Sequence, residues 1–295
     1  MIWIRITTLL FIAGTVWAWM SGSAELWGIY HLRFMPVWLA WLLFTVGMAV
    51  VLLPRGSIQR LIDLTFFVMT RIPRSVMLII AGIALISLFI AGRCENLLLG
   101  DSFRLIRLIT EDFAFSPTEH VTLLINHLLF VILGDPRLAY SVTSVLSGVA
   151  FVFIVSRFVL ELDLSAVGRS AILLMFLSLG NIQLFFCYPE NYTIVSALLA
   201  SYLYYGWRAV DGRSPVWPAL LLFIAALTAH LSAVFVLPGL IYLMYKRYHT
   251  SKRGIWLAAA VGAGVAAIAG GILYYTSFGG DEIFCPIIAN ETNPY

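Results

Sequence analysis

Apolar runs follow one another along nearly the whole chain. They cover residues 2–20, 34–53, 75–92, 121–133, 137–160, 170–187, 193–209, 216–230, 231–245 and 255–276. Most approach the ~20 residues that an α-helix needs to cross the hydrocarbon of a bilayer. Lipid offers the backbone no hydrogen bonds, so a spanning segment must satisfy its own, as a helix does. The runs therefore predict an all-α fold, a polytopic transmembrane helical bundle. The charge content agrees. Only 11% of the 295 residues are charged and 61% are hydrophobic, whereas a water-soluble domain carries about 25% charged residues. Too little polar surface remains to coat a soluble body.

The charges orient the bundle. Residues 54–74 read PRGSIQRLIDLTFFVMTRIPR, with Arg55, Arg60, Arg71 and Arg74 against Asp63. Basic residues concentrate in cytoplasmic loops, so this segment and the N-terminus are expected inside. Its middle has helical apolar spacing and is expected to lie in the interface. The run 121–133 is short for a span and carries Asn126 and His127. It is read as a helix along the outer interface. Basic Lys246–Arg253 and the stretch 208–213 then fall inside. A crossing at 121–133 would turn Lys246–Arg253 outward. The expectation is about nine spans, with juxtamembrane helices in the first large outer loop. Residues 1–74 form two helices and a basic cytoplasmic loop, and 75–295 form one larger module. A cleaved signal peptide is the rival reading of residues 2–20, but the run is long and Trp-rich, and no clear small-x-small cleavage site precedes a soluble domain.

Two further features concern packing. The runs 216–230 and 231–245 are short and meet at His230, and Pro238 is expected to kink the second. The run AAAVGAGVAAIAGG (258–271) allows close helix contact through small residues. Cys94, Cys187 and Cys285 show no metal-ligand spacing. All three fall on the outer side, where a disulfide is permitted; unpaired buried thiols are the expectation.

On this topology the uncommon polar residues gather at the outer face. Asp101, Glu111, Asp112, Glu119, His120, Glu190, Asn191, Tyr192, His230, Asp281 and Glu282 all lie there. Solvated loops account for most of them. Three places stand out. In Gly100-Asp101-Ser102 a glycine permits a sharp turn, and Arg104 and Arg107 follow at helical spacing. A carboxylate beside guanidinium groups suits a reaction that needs a base and must hold a phosphate. A helix cap with two snorkelling arginines would have the same spacing. Cys187-Tyr188-Pro189-Glu190-Asn191-Tyr192 interrupts two apolar runs. A carboxylate so near the membrane should face a cavity or a partner, unless the segment is a plain proline turn. His230 in AALTAHLSAVF and the pair Glu119-His120 are either structural residues or substrate contacts. Asn191-Tyr192-Thr193 and Asn290-Glu291-Thr292 match glycosylation sequons.

The order of these elements resembles the GT-C superfamily. These are membrane glycosyltransferases that use polyprenyl-phosphate sugars, such as protein O-mannosyltransferases and aminoarabinose transferases. LLLGDSFRLIRLI is similar to the start of their first outer loop. SPTEHVTLLINHLLFVILGDPRLAYSVTSVLSG is similar to their juxtamembrane helix and next span. FFCYPENYTIVSALLASYLYY is similar to a turn in bacterial members. The resemblance covers about residues 75–295, and family members are longer, so the chain is expected to be part of a longer protein. It implies an inverting transfer of a sugar from a polyprenyl-phosphate donor to an acceptor hydroxyl at the outer face of a bacterial inner membrane. Asp101 would be the general base, and Arg104 or Arg107 would neutralise the departing phosphate. Glu190, Asn191, Tyr192, His230, Glu119 and His120 would contact substrate. Relatives commonly carry a second acid in this loop; only Asp101 follows the glycine here, and Glu111 or Asp112 would have to supply the other role. No DxD occurs, so no metal and no cofactor are expected.

Two other function classes fit the composition. A transporter or flippase also breaks its helices with polar residues, though usually near the bilayer midplane. A non-catalytic membrane scaffold would keep the architecture without the chemistry. No basic run resembles a nucleic-acid patch, so no nucleic-acid partner is expected. The partners implied are the bilayer, the lipid-linked sugar and an acceptor.

Overall fold

In the computed structural model, residues 2–21, 36–54, 73–94, 101–110 and 118–248 are described, with isolated positions at 56, 57, 60, 63, 64, 71, 262–264, 267, 270 and 271. Among the described residues every regular element is helical. Ten α-helices are bounded by described residues. They are α1 Ile2–Ser21, α2 Val37–Leu52, α3 Arg74–Ala91, α4 Ser102–Thr110, α5 His120–Leu133, α6 Pro136–Glu161, α7 Ala166–Leu177, α8 Tyr192–Val210, α9 Trp217–Ala229 and α10 Leu237–Tyr248. The all-α expectation holds. Helix α6, 26 residues, is the one described helix long and apolar enough to cross a membrane, and several shorter apolar helices accompany it. Most of the basic segment 54–74, the small-residue run 258–271 and Cys285 lie outside the described residues. Cys94 and Cys187 are thiols.

Two expected spans are not single helices. The run 170–187 breaks after Leu177 and continues as a 3-10 turn, Gly180–Phe185. The run 231–245 starts as a 3-10 turn, Leu231–Val236, before α10 begins. Pro238 does not kink α10. It stands in the first turn, where the missing N–H costs nothing because that donor has no intrahelical partner. Helix α5 ends at Gly134, whose φ of 73° is left-handed and whose N–H reaches Phe130 O at 2.8 Å. A glycine meets that conformation without a Cβ penalty.

The chain divides into two units. Residues 1–106 and 137–193 form the first, and 107–136 and 194–295 the second. In the first, α1 and α2 pack together, with Trp19 and Trp41 edge to face at 5.4 Å. The break after α7 drives Phe185, Phe186 and Tyr188 into the interior. Phe185 meets Phe89 of α3 at 6.0 Å and Phe151 of α6 at 5.4 Å. Each such ring pair adds about 0.5–1.5 kcal/mol to the burial of its area. Gly148 of α6 and Gly92 beyond α3 leave the room that these rings fill.

The second unit is built on α8, α9 and α10. Tyr202, Phe223, Leu240, Leu243 and Met244 form its core, and α5 packs against α9. In both units long apolar side chains also point outward. Met20 is 77% exposed, Ile132 76% and Phe235 84%. Such residues recur along α1, α2, α3 and α5, beyond what isolated surface residues explain.

Close packing at the aromatic plug makes a testable claim. A Cβ on Gly148 would lie 2.6 Å from Phe185 Cβ, an atom that cannot swing aside. Gly148→Ala should destabilise by about 1–3 kcal/mol in thermal unfolding. Gly14, mid-helix in α1 with nothing within 4 Å of its Cβ position, should respond oppositely. Gly14→Ala is expected to gain about 0.5–1 kcal/mol from helix propensity.

Candidate functional site

Asp101 immediately precedes α4. The helix is strongly two-faced. Ser102, Leu105 and Ile109 are buried at the spacing of one helical face. Arg104, Arg107 and Thr110 stand exposed on the other. Arg104 Nη1 lies 3.5 Å from Asp101 Oδ2, and the Asp101 side chain is 67% exposed. An exposed pair of this kind contributes little to stability, about 0–1 kcal/mol. It does put a carboxylate and a guanidinium side by side where a substrate can reach them. Arg107 follows one turn further along the exposed face.

Glu190 belongs to the turn between the 3-10 segment Gly180–Phe185 and α8. This turn is tightly held. Cys94 N donates to Phe186 O at 2.9 Å, and Ser144 Oγ of α6 donates to Tyr188 O at 2.7 Å. Cys187 adopts a left-handed φ of 58°, uncommon for a residue with a Cβ. Glu190 is buried. Its Oε1 accepts the Asn191 N–H at 2.9 Å, while its carbonyl accepts Thr193 Oγ1 at 3.1 Å. The carboxylate thus sits at the positive end of the α8 dipole, which offsets part of its desolvation. Asn191 is fully buried and Tyr192 is 43% exposed.

In the second unit two of the expected residues, far apart in sequence, come together. His230 closes α9 and opens the next 3-10 turn. Its N–H reaches Ala226 O at 2.9 Å. Ring Nδ1 accepts the Ser232 N–H at 3.1 Å. A backbone N–H can only donate, so Nδ1 carries no proton and neutral His230 bears its hydrogen on Nε2. Nε2 lies 4.0 Å from Glu119 Oε2, with the two side chains 17% and 9% exposed. The outcome is a buried carboxylate facing an imidazole whose tautomer is set by the fold.

Residues 118–122 build this pair by closing the helix break. Leu231 N donates to Thr118 O at 2.7 Å, and Thr122 Oγ1 donates to Ala229 O at 2.8 Å. Both are backbone groups that the ends of α9 and the 3-10 turn leave without helical partners. Glu119 precedes α5 at its N-cap position and His120 begins the helix. Two turns on, His127 Nδ1 lies 3.0 Å from Ile109 O in the last turn of α4. A carbonyl can only accept, so this nitrogen is the protonated one.

The expected site residues therefore fall into three groups. Asp101 joins Arg104, Glu190 joins Asn191 and Glu119 joins His230. Glu111, Asp112, Asp281, Glu282 and Gly100 lie outside the described residues. No local sequence pattern marks Thr118, Thr122 or His127 as residues that build a site. No family model, curated protein or solved structure matches the chain.

The clamp between α5 and α9 can be tested. Thr122→Val keeps the shape and leaves the Ala229 carbonyl without this donor. It should lower stability by about 1–3 kcal/mol, with amide exchange rising first across residues 118–133. Unchanged exchange there would show that the hydroxyl does not hold the two helices together.

Proposed function

We propose that the chain is a polytopic membrane glycosyltransferase of the GT-C type, transferring a sugar from a polyprenyl-phosphate donor to an acceptor hydroxyl at the non-cytoplasmic face. The outward apolar side chains of α1, α2, α3 and α5 suit lipid contact better than water. Helix α5 carries Asn126 and His127 within its apolar run. Together with two-faced α4 it suits a loop lying along the interface after the α3 span. In this reading the chain has about nine spans.

The observation that carries the chemistry is the exposed Asp101–Arg104 pair at the head of α4. The Asp101 carboxylate takes the proton from the acceptor hydroxyl. The acceptor oxygen forms its bond to the anomeric carbon as the bond to the donor phosphate breaks, inverting that centre. The electron pair leaves with the phosphate, and Arg104, helped by Arg107, neutralises the charge that develops there. Glu190 holds sugar or acceptor hydroxyls, with Asn191 and Tyr192 beside it in sequence.

The test is transfer of label from a panel of polyprenyl-phosphate sugars. Loss of a general base costs ~10²–10⁴-fold, so Asp101→Asn should reduce transfer at least about a hundredfold with unchanged helical content. Arg104→Ala should slow transfer less, because Arg107 stands one turn away. Equal transfer by the Asp101→Asn variant and the parent would remove Asp101 from the mechanism.

A further inference from the structure

Between α8 and α10 lies a groove of about 390 Å³, within the ~300–1,000 Å³ usual for ligand pockets. On α8 its wall runs through Leu203, Gly206 and Val210, with Trp207 beside them. On α10 it runs through Gly239, Tyr242 and Leu243. Leu203, Gly206 and Val210 follow at steps of three and four residues, and Tyr242 and Leu243 stand three and four beyond Gly239, so each wall is one helical stripe. The two glycines create the space. A Cβ on Gly239 would stand 3.3 Å from the Tyr202 hydroxyl, and one on Gly206 would stand 3.8 Å from Leu243 Cδ2. Leu203 and Tyr242 remain more than half exposed, so the groove opens sideways along the helices.

Both stripes end in cations. Beyond Val210 the α8 wall reaches Arg213, whose guanidinium lies 4.0 Å from the Trp207 ring centre and pairs with Asp211. Beyond Leu243 the α10 wall reaches Lys246 and Arg247. Arg247 Nη1 comes within 3.7 Å of the Cβ position of Gly212, so it lies over the turn that carries Arg213. Arg208 adds a further positive charge, donating to the Tyr204 hydroxyl at 2.8 Å. Four cations against the Asp211 carboxylate leave this end positive among the described residues.

An apolar groove that opens sideways and ends in clustered cations complements one kind of molecule. We propose that it binds an anionic phospholipid of the surrounding bilayer, with one acyl chain along the glycine-lined groove and the phosphate between Arg213, Lys246 and Arg247. Basic pockets between membrane helices take acidic headgroups in this way. The inference rests on the membrane reading above and is independent of glycosyl transfer. Its site involves none of the residues assigned to that chemistry.

The test places the full chain in nanodiscs of equal parts phosphatidylglycerol and phosphatidylcholine. Native mass spectrometry then identifies the lipid that stays bound on release. One basic residue near an anionic headgroup is worth about fivefold in binding, so the parent should retain phosphatidylglycerol at least about fivefold over phosphatidylcholine. The double variant Arg213→Gln, Arg247→Gln should approach parity, and Gly206→Leu, which fills the groove, should retain less of both. The exposed arginine pair decides the matter even where the glycine variant fails to fold. Equal retention by the parent, or a preference unchanged in the arginine double variant, would overturn the proposal. Displacement of phosphatidylglycerol by added polyprenyl phosphate would also overturn it by assigning the groove to the donor lipid. A chain that never enters the nanodisc overturns the membrane reading too; one that enters and shows no preference overturns this inference alone.

Discussion

A helix that breaks among apolar neighbours leaves backbone N–H and C=O groups without partners, and water is not there to satisfy them. Much of this structure answers that constraint. After α9 the chain stops being α-helical at His230, and four described hydrogen bonds close the gap. His230 N reaches back to Ala226, Leu231 N reaches Thr118, Ser232 N reaches the His230 ring, and Thr122 reaches Ala229. After α7 a second break is closed in the same manner by Cys94 and Ser144. A net hydrogen bond is worth only about 1 kcal/mol, while an unsatisfied buried group costs about 1–3. The partners matter chiefly for the penalty they avoid.

The buried acids accompany these breaks. Among the described residues the buried carboxylates are Glu119 and Glu190. Glu190 sits at the positive end of α8, and Glu119 faces His230. A buried carboxylate is costly without such support. Asp101 differs. It is exposed, and its nearby guanidinium belongs to the next turn of its own helix. Under the proposed function this contrast separates two roles. A general base must meet substrate and exchange its proton, whereas groups that orient a sugar benefit from being held rigidly in a dry setting.

The sequence made the helical class legible because uninterrupted apolar runs have few other solutions. It also exposed the shortness of α5, through Asn126 and His127 within an already brief run. The breaks after α7 and before α10 were harder to see. Residues 170–187 and 231–245 are apolar across the break, and apolarity alone does not distinguish an α-helix from a 3-10 turn. The exchange of partners at His230 depends on residues 118–122, which no local pattern links to it. Thr122 looks like any helix threonine until Ala229 is brought beside it. Asp101 and Arg104 were legible together because a helix places positions three apart on one face, a purely local rule.

Sidedness tests the central claim most directly. In a background with Cys94, Cys187 and Cys285 replaced by serine, single cysteines would be introduced at Phe103, which is 58% exposed beside Asp101, and at exposed Asp163 between α6 and α7. A membrane-impermeant maleimide would then be applied to right-side-out and inverted vesicles. The account predicts labelling of position 103 only from the outside and of position 163 only from the cytoplasmic side. Labelling of both from the same side would contradict an outer-face catalytic loop following the α3 span.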